Sequence, residues 1–191
     1  MVHAVTEVRV EARYVNPLTF LLGNVPLNSH IDRLIANRSA FLACYFDLDH
    51  FKPFNDRYGY WQGDEVLKTA ANTLASVCEP TRDFFGHIGG DDFLLLFQSH
   101  DWRDRAALAM ESQAFLFASP EERLAGGIPG EDRLARPTFF GFVRLSVGAV
   151  CIGPGDARGS AQVSAVAAIA KRMAKEDLCG FAVLRLAECE T

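Results

Sequence analysis

FFGHIGGDDFLLLF, residues 84–97, is the stretch on which the reading of this chain turns. Two apolar runs rich in aromatic residues flank a tight Gly89-Gly90-Asp91-Asp92 centre. Such runs bounded by turn residues read as the two strands of a hairpin, with glycine supplying backbone angles that other residues resist. Asp91 and Asp92 stand side by side at the tip, and residues 93–97 are too apolar for an ordinary solvent-facing edge. Adjacent carboxylates on a rigid tip suit a hard divalent cation, usually Mg²⁺. Taken alone, the stretch reads more simply as a Gly-Asp turn whose acids keep it soluble, so the rest of the chain has to decide.

Upstream, residues 41–46 (FLACYF) form a continuous apolar run, as expected of a strand buried on both faces, and run straight into Asp47-Leu48-Asp49. Carboxylates at the end of a buried strand are costly without a partner or a cation. If this strand and the hairpin are neighbours, Asp47 and Asp49 converge with Asp91 and Asp92 on one sheet edge, the arrangement that two-metal phosphoryl transfer needs. Between them, Tyr58-Gly59-Tyr60 and Gln62-Gly63-Asp64 read as turns. A helix then starts at Asp64, a good N-cap, with Val66, Leu67, Ala70, Ala71, Leu74 and Val77 on one face.

Further out, residues 1–15 fit either a strand or a helix, the helix being favoured as a linker. Leu27, Ile31, Leu34 and Ile35 predict a helix ending near Asn37. Residues 102–118 have helical spacing, and residues 119–137, rich in Gly, Pro and charge, read as an irregular excursion with room for a short hairpin. Residues 139–152 predict a strand, residues 163–175 an Ala-rich helix ending in Lys171, Arg172 and Lys175, and residues 181–186 a last strand. The order predicts an α+β fold, a sheet packed by helices, with residues 16–191 as a single domain.

Composition narrows the function classes. With 191 residues, 49% of them hydrophobic, the chain has material for one substantial core. A net charge of −5 argues against a binder of nucleic-acid polymers, yet leaves room for a nucleotide held by a metal and a few lysines. Five scattered cysteines without a CxxC or Cys/His cluster suggest neither a zinc site nor a disulfide framework. Reduced thiols and the lack of a signal-like or membrane-spanning run predict a cytoplasmic domain without membrane contact of its own, though a parent protein could be membrane-associated.

FDLDHFKPFND, then GYWQGDEVL, then HIGGDDF together resemble the GGDEF domain of diguanylate cyclases, which make the bacterial second messenger cyclic di-GMP from two GTP molecules. Residues 16–19 (NPLT) with Gly23-Asn24, residues 145–148 (LSVG) and Ala174-Lys175 support the resemblance, which covers nearly the whole chain from Asn16. HIGGDDF and the Gly-rich insertion are also similar to the last module of EAL–CBS–GGDEF proteins, implying EAL, CBS or other sensor domains in a parent protein. The resemblance implies a central, mostly antiparallel sheet flanked by helices, related to nucleotidyl cyclases and polymerase palms. It implies Mg²⁺, two ions per GTP half-site with Mn²⁺ as a substitute, held by Asp47, the Leu48 carbonyl and Asp91. Asp91 or Asp92 would help deprotonate the ribose 3′-hydroxyl. The His50 and Phe51 amides with Lys52, backed by Lys175, would cradle the terminal phosphates, and Asn55 and Asp64 would read the guanine edge. Turnover would need a homodimer, each subunit bringing one GTP.

Without the resemblance these residues have plainer readings. Asp64 is an N-cap, Lys52 and Lys175 are solvated lysines, and Asn55 is a turn residue. Asp49 holds local backbone, His87 is a partly packed strand residue, and Tyr58, Tyr60 and Trp61 are packing. Three departures stand out. Asp92 replaces the usual glutamate and reaches one methylene less, and a positioning error of about 1 Å can cost on the order of a hundredfold in rate. Pro80 stands where the family's RxxD product-inhibition arginine would be, with Asp83 in the acid's place. The basic Gly-Arg-Asn after the helix lysine is absent. The two readings are therefore a GTP-condensing diguanylate cyclase, or a degenerate module that binds GTP or cyclic di-GMP as a receptor.

Overall fold

Nine consecutive buried residues, Phe41–Asp49, form strand β1 at the centre of a five-stranded sheet in the computed structural model. The structure describes residues 14–111, 119–131, 134 and 136–189. Strand β1 follows helix α1 (Asn24–Ala36) and leads through α2 (Phe51–Tyr58) and α3 (Tyr60–Val77) into the hairpin of β2 (Phe84–Gly89) and β3 (Asp92–Phe97). Helix α4 (Trp102–Glu111), the short α5 (Pro120–Ala125) and a small hairpin of β4 (Ile128–Glu131) and β5 (Pro137–Phe140) come next. Strand β6 (Arg144–Ile152), α6 (Ser160–Glu176) and β7 (Phe181–Arg185) complete the order. The main sheet runs β2-β3-β1-β6-β7, antiparallel throughout except for the parallel β6–β7 pair. The expected α+β architecture, a mostly antiparallel sheet flanked by helices, is the one observed.

Period-two alternation along β1 divides the core. Leu42, Cys44, Phe46 and Leu48 face α3 and α4, joined by Phe93, Leu95 and Phe97 of β3. Phe41, Ala43 and Tyr45 face the other side, against Leu27, Ile31 and Leu34 of α1 and Val163, Val166 and Ala170 of α6. Both faces are covered, so the run carries no polar residue until its acidic end. Gly148 of β6 lets α6 come close, because a Cβ there would stand 2.3 Å from Lys171 N. Asp32 of α1 accepts hydrogen bonds from Ser160 N and Oγ, tying α1 to the start of α6.

Several expectations are corrected. Helix α3 starts at Tyr60, not Asp64, and its N-cap is Gly59 at φ 83°. Asp64 therefore lies inside the helix and caps nothing. Gly63, which looked like a turn residue, is a close-approach glycine: a Cβ there would meet Asn55 Oδ1 at 1.8 Å. The run expected as one strand over residues 139–152 is divided, because Phe139 and Phe140 pair with Pro129 and Ile128 in the separate hairpin. Tyr60 and Trp61 are not packing residues; they are 78% and 74% exposed. Tyr58 does pack, on Phe54 at 4.6 Å between ring centroids. The helix expected over residues 102–118 is described only as far as Glu111. The N-terminal linker lies outside the described residues, save Tyr14 and Val15, which form a turn and a bridge to Leu22.

The excursion after α4 is anchored rather than loose where it is described. Ser119 and Glu122 form a capping box at the start of α5, and the buried Glu122 accepts the Tyr58 hydroxyl proton from α2. Asp83 likewise serves the fold. Its fully buried carboxylate accepts from Glu79 N at 2.9 Å and Gln98 N at 3.3 Å and pairs with Arg105, whose guanidinium also donates to Val77 O.

The Gly148 contact is tested by Gly148→Ala. The methyl group meets α6 backbone, which has no side-chain rotamer with which to yield, so urea unfolding should show a loss of about 1–3 kcal/mol. An unchanged unfolding midpoint would contradict the contact.

Candidate functional site

Antiparallel pairing puts Asp47 opposite Asp92 at the end of the β1–β3 ladder, and Leu48 N donates to Asp91 O at 3.3 Å. The intervening turn uses Gly89 at φ 146° and Gly90 at φ 61°, conformations that suit residues lacking a Cβ. His87 braces it from behind. Its Nε2 lies 3.0 Å from Gly90 O, its Nδ1 3.0 Å from Thr19 Oγ1, and its ring stacks on Phe93. Burial lowers its pKa, against the opposing Gly90 carbonyl and Asp91 charge, and favours the neutral ring. A carbonyl can only accept, so Nε2 carries the proton and Nδ1 accepts from Thr19. This is a packing and bracing role, as expected of His87.

Carboxylate oxygens of Asp47, Asp91 and Asp92 lie within 4.8 Å of one another. Asp47 is 4% exposed and the other two are half-buried. Two lysines of α6 offset the charge. Lys171 Nζ lies 3.0 Å from Asp47 Oδ2 and also binds Asp92 Oδ1, while Lys175 Nζ approaches Asp47 Oδ1 to 2.6 Å. That last contact is an ion pair without hydrogen-bond alignment, and the buried Asp47 Oδ1 has no hydrogen-bond partner among the described residues. Three hard oxygen donors, one of them a buried carboxylate held ionised by ammonium groups, fit a Mg²⁺-type ion. Asp49 stands outside this group: it accepts from Arg144 Nε at 3.0 Å and Ser146 Oγ at 3.2 Å, joining β1 to β6.

The remaining candidates come from the elements directly after β1. His50 takes a left-handed φ of 59° and caps α2, with its ring against Phe140; burial lowers its pKa, with Asp49 opposing. Phe51 and Lys52 occupy the first turn of α2, and the exposed Lys52 side chain pairs with Asp56. Asn55 sits over Gly63 and so beside Asp64, and its buried Oδ1 has no hydrogen-bond partner among the described residues. Lys175, expected at phosphates, lies against Asp47. Lys171 was not among the candidate site residues, although its four-residue spacing from Lys175 places both on one helix face, a signal present in the sequence.

A sheet whose central strand ends in carboxylates, facing a hairpin tip that carries two more, defines an α+β domain with an acidic edge. Residues 14–122, more than half of the chain, match the family model for "Diguanylate cyclase, GGDEF domain", and the chain belongs to the GGDEF family. It is 29% identical over 122 residues to the diguanylate cyclase DgcP of Pseudomonas aeruginosa, covering 62% of this chain and 18% of that protein. It is 32% identical over 115 residues to the probable diguanylate cyclase DgcT of Escherichia coli, covering 60% and 23%. These matches thus span about a fifth of the relatives' length. The fold is similar to that of the GGDEF domain of DgcB from Caulobacter crescentus in complex with c-di-GMP, with a TM-score of 0.63, 21% identity and coverage of 91% and 95%. It also matches the S helix-GGDEF-EAL structure of Vibrio cholerae LapD bound to c-di-GMP, with a TM-score of 0.73, 12% identity and coverage of 100% and 41%.

The three acids titrate in an unequal order. For Asp47, burial raises the pKa, but the Lys175 and Lys171 ammonium groups outweigh it and hold the carboxyl below the usual aspartate range. Asp91 is raised by burial and by the Asp47 charge. Asp92 is raised by burial, with Lys171 opposing and Asp47 reinforcing. Ionised Asp91 and Asp92 therefore cost stability at neutral pH, a cost relieved as pH falls through their raised values. The contribution of Asp47 persists below the ordinary aspartate range and is lost as pH falls through its depressed value. Carboxyl carbon shifts followed by NMR should show Asp91 and Asp92 protonating before Asp47; the reverse order would contradict the charge assignment.

Proposed function

We propose that this domain binds GTP with Mg²⁺ and condenses two GTP molecules into cyclic di-GMP as a homodimer, each subunit presenting one nucleotide. The convergence of Asp47, Asp91 and Asp92 on one sheet edge, with carboxylate oxygens within 4.8 Å of one another, is the observation that carries this reading. Asp47, the Leu48 carbonyl and Asp91 hold the metal, two ions per half-site, with Mn²⁺ as a substitute. Bound Mg²⁺ supplies charge neutralisation at the phosphates and a lowered pKa for the attacking hydroxyl.

The chain's own groups bind and orient the nucleotide. The His50 and Phe51 amides and Lys52, supported by Lys175, hold the terminal phosphates. The Asn55 amide donates to guanine acceptors while the Asp64 carboxylate accepts from the guanine N–H groups, and the two together exclude adenine, which presents the opposite pattern. Asp91 or Asp92 takes the proton of the ribose 3′-hydroxyl as its oxygen bonds to the α-phosphorus of the facing GTP. The bond from that phosphorus to the bridging oxygen breaks and pyrophosphate leaves. Two such steps close the ring. The domain works in the cytoplasm, where GTP is available, under EAL, CBS or other sensor domains of a parent protein.

A second reading, a receptor module that binds GTP or cyclic di-GMP without efficient turnover, is favoured by one observation. Asp92, already one methylene shorter than the family's glutamate, is bound to Lys171, which also contacts Asp47. Incubating concentrated domain with GTP and Mg²⁺ separates the readings. Cyclic di-GMP and pyrophosphate should form, and Asp91→Ala should abolish both. Tight GTP binding without product, even when dimerisation is enforced, would replace the cyclase with the receptor, and absence of GTP affinity would reject both.

A further inference from the structure

Lys171 stands in the acidic corner in a way that the proposed chemistry leaves unexplained. Its ammonium contacts Asp47 Oδ2 at 3.0 Å and Asp92 Oδ1 together, and its side chain is 21% exposed. The backbone cannot retreat, since α6 is pressed against Gly148 at Lys171 itself. Only the four-carbon side chain is free to swing. The ammonium thus bridges two of the three carboxylates whose oxygens lie within 4.8 Å of one another.

We propose that Lys171, seated on Asp92, is an internal counter-cation that competes with divalent metal for Asp47, and so keeps the metal affinity of the nucleotide-free domain low. This rests on the reading of Asp47 as a ligand of the metal site. An ammonium and a divalent ion sharing the same oxygens repel each other at short range, where the surrounding protein screens poorly. Metal entry therefore requires the ammonium to leave Asp47. Lys171 is then a positioning residue, acting through Asp47 and Asp92, and it makes the corner a poor trap for stray metal.

Mn²⁺ binding to the nucleotide-free domain, read from the free-ion signal in electron paramagnetic resonance, tests this directly. Lys171→Met, of similar length but neutral, should bind Mn²⁺ roughly tenfold or more tightly than the unaltered domain, and Lys171→Arg, which keeps the charge, should stay within about threefold of it. Lys171→Met binding no tighter than the unaltered domain, with cooperative unfolding retained, would overturn the proposal while leaving the metal site standing. Failure of both proteins to bind Mn²⁺ would overturn the proposal and the metal-site reading together. Should Lys171→Met fail to fold, the unaltered domain gives the answer by NMR. The Lys171 ammonium signal should shift or vanish on titration with Mg²⁺ alone, and a signal unmoved at saturating Mg²⁺ would overturn the proposal.

Discussion

A carboxylate at the end of a strand buried on both faces is the constraint around which this domain is arranged. Asp47 cannot remain ionised at 4% exposure without compensating charge. Two lysines one helical turn apart supply it, and they reach the strand because α6 lies almost in contact with the β6 backbone at Gly148. The packing of helix on sheet and the electrostatics of the corner are thus one problem with one solution. The hairpin adds two further acids to the same place, where burial first and the Asp47 charge second raise their pKa values.

Much of this was legible in the residues. The buried strand, the hairpin and the two helices on the α1 and α6 side are written in apolar runs and in the spacing of Leu27, Ile31 and Leu34. The acids of the corner were also legible, because an apolar run that ends in Asp-Leu-Asp is chemically odd. What escaped was decided by distant partners. Gly63 reads as a turn residue until Asn55 is seen above it, and the break after Phe140 exists because Ile128 pairs there. Lys171 reads as one basic residue among three in the last turns of α6; its spacing from Lys175 sets it on the same helix face, but only the register of that helix on β6 brings that face to Asp47.

The departures from the family pattern also take on physical meaning. Asp83, which stands where an inhibitory-site acid would be, is fully enclosed and committed to Arg105 and two backbone amides, so it holds the 79–83 turn against α4 and β3. The Gly-rich excursion is clamped through Glu122 to Tyr58 of α2, the helix that also carries Lys52 and Asn55.

The pairing of Asp47 with Asp92 on one side and Ser146 on the other has a kinetic consequence. Both partners lie far away in the chain, so the hairpin with Asp91 and Asp92 meets Asp47 only when a long loop closes. Closing such loops is slow relative to helix formation. During synthesis, β1 emerges long before β6 exists to cover its second edge, and its apolar backbone has only the hairpin to pair with. The nascent chain must therefore shield an incomplete sheet until its last third is made, a hazard set by strand order alone.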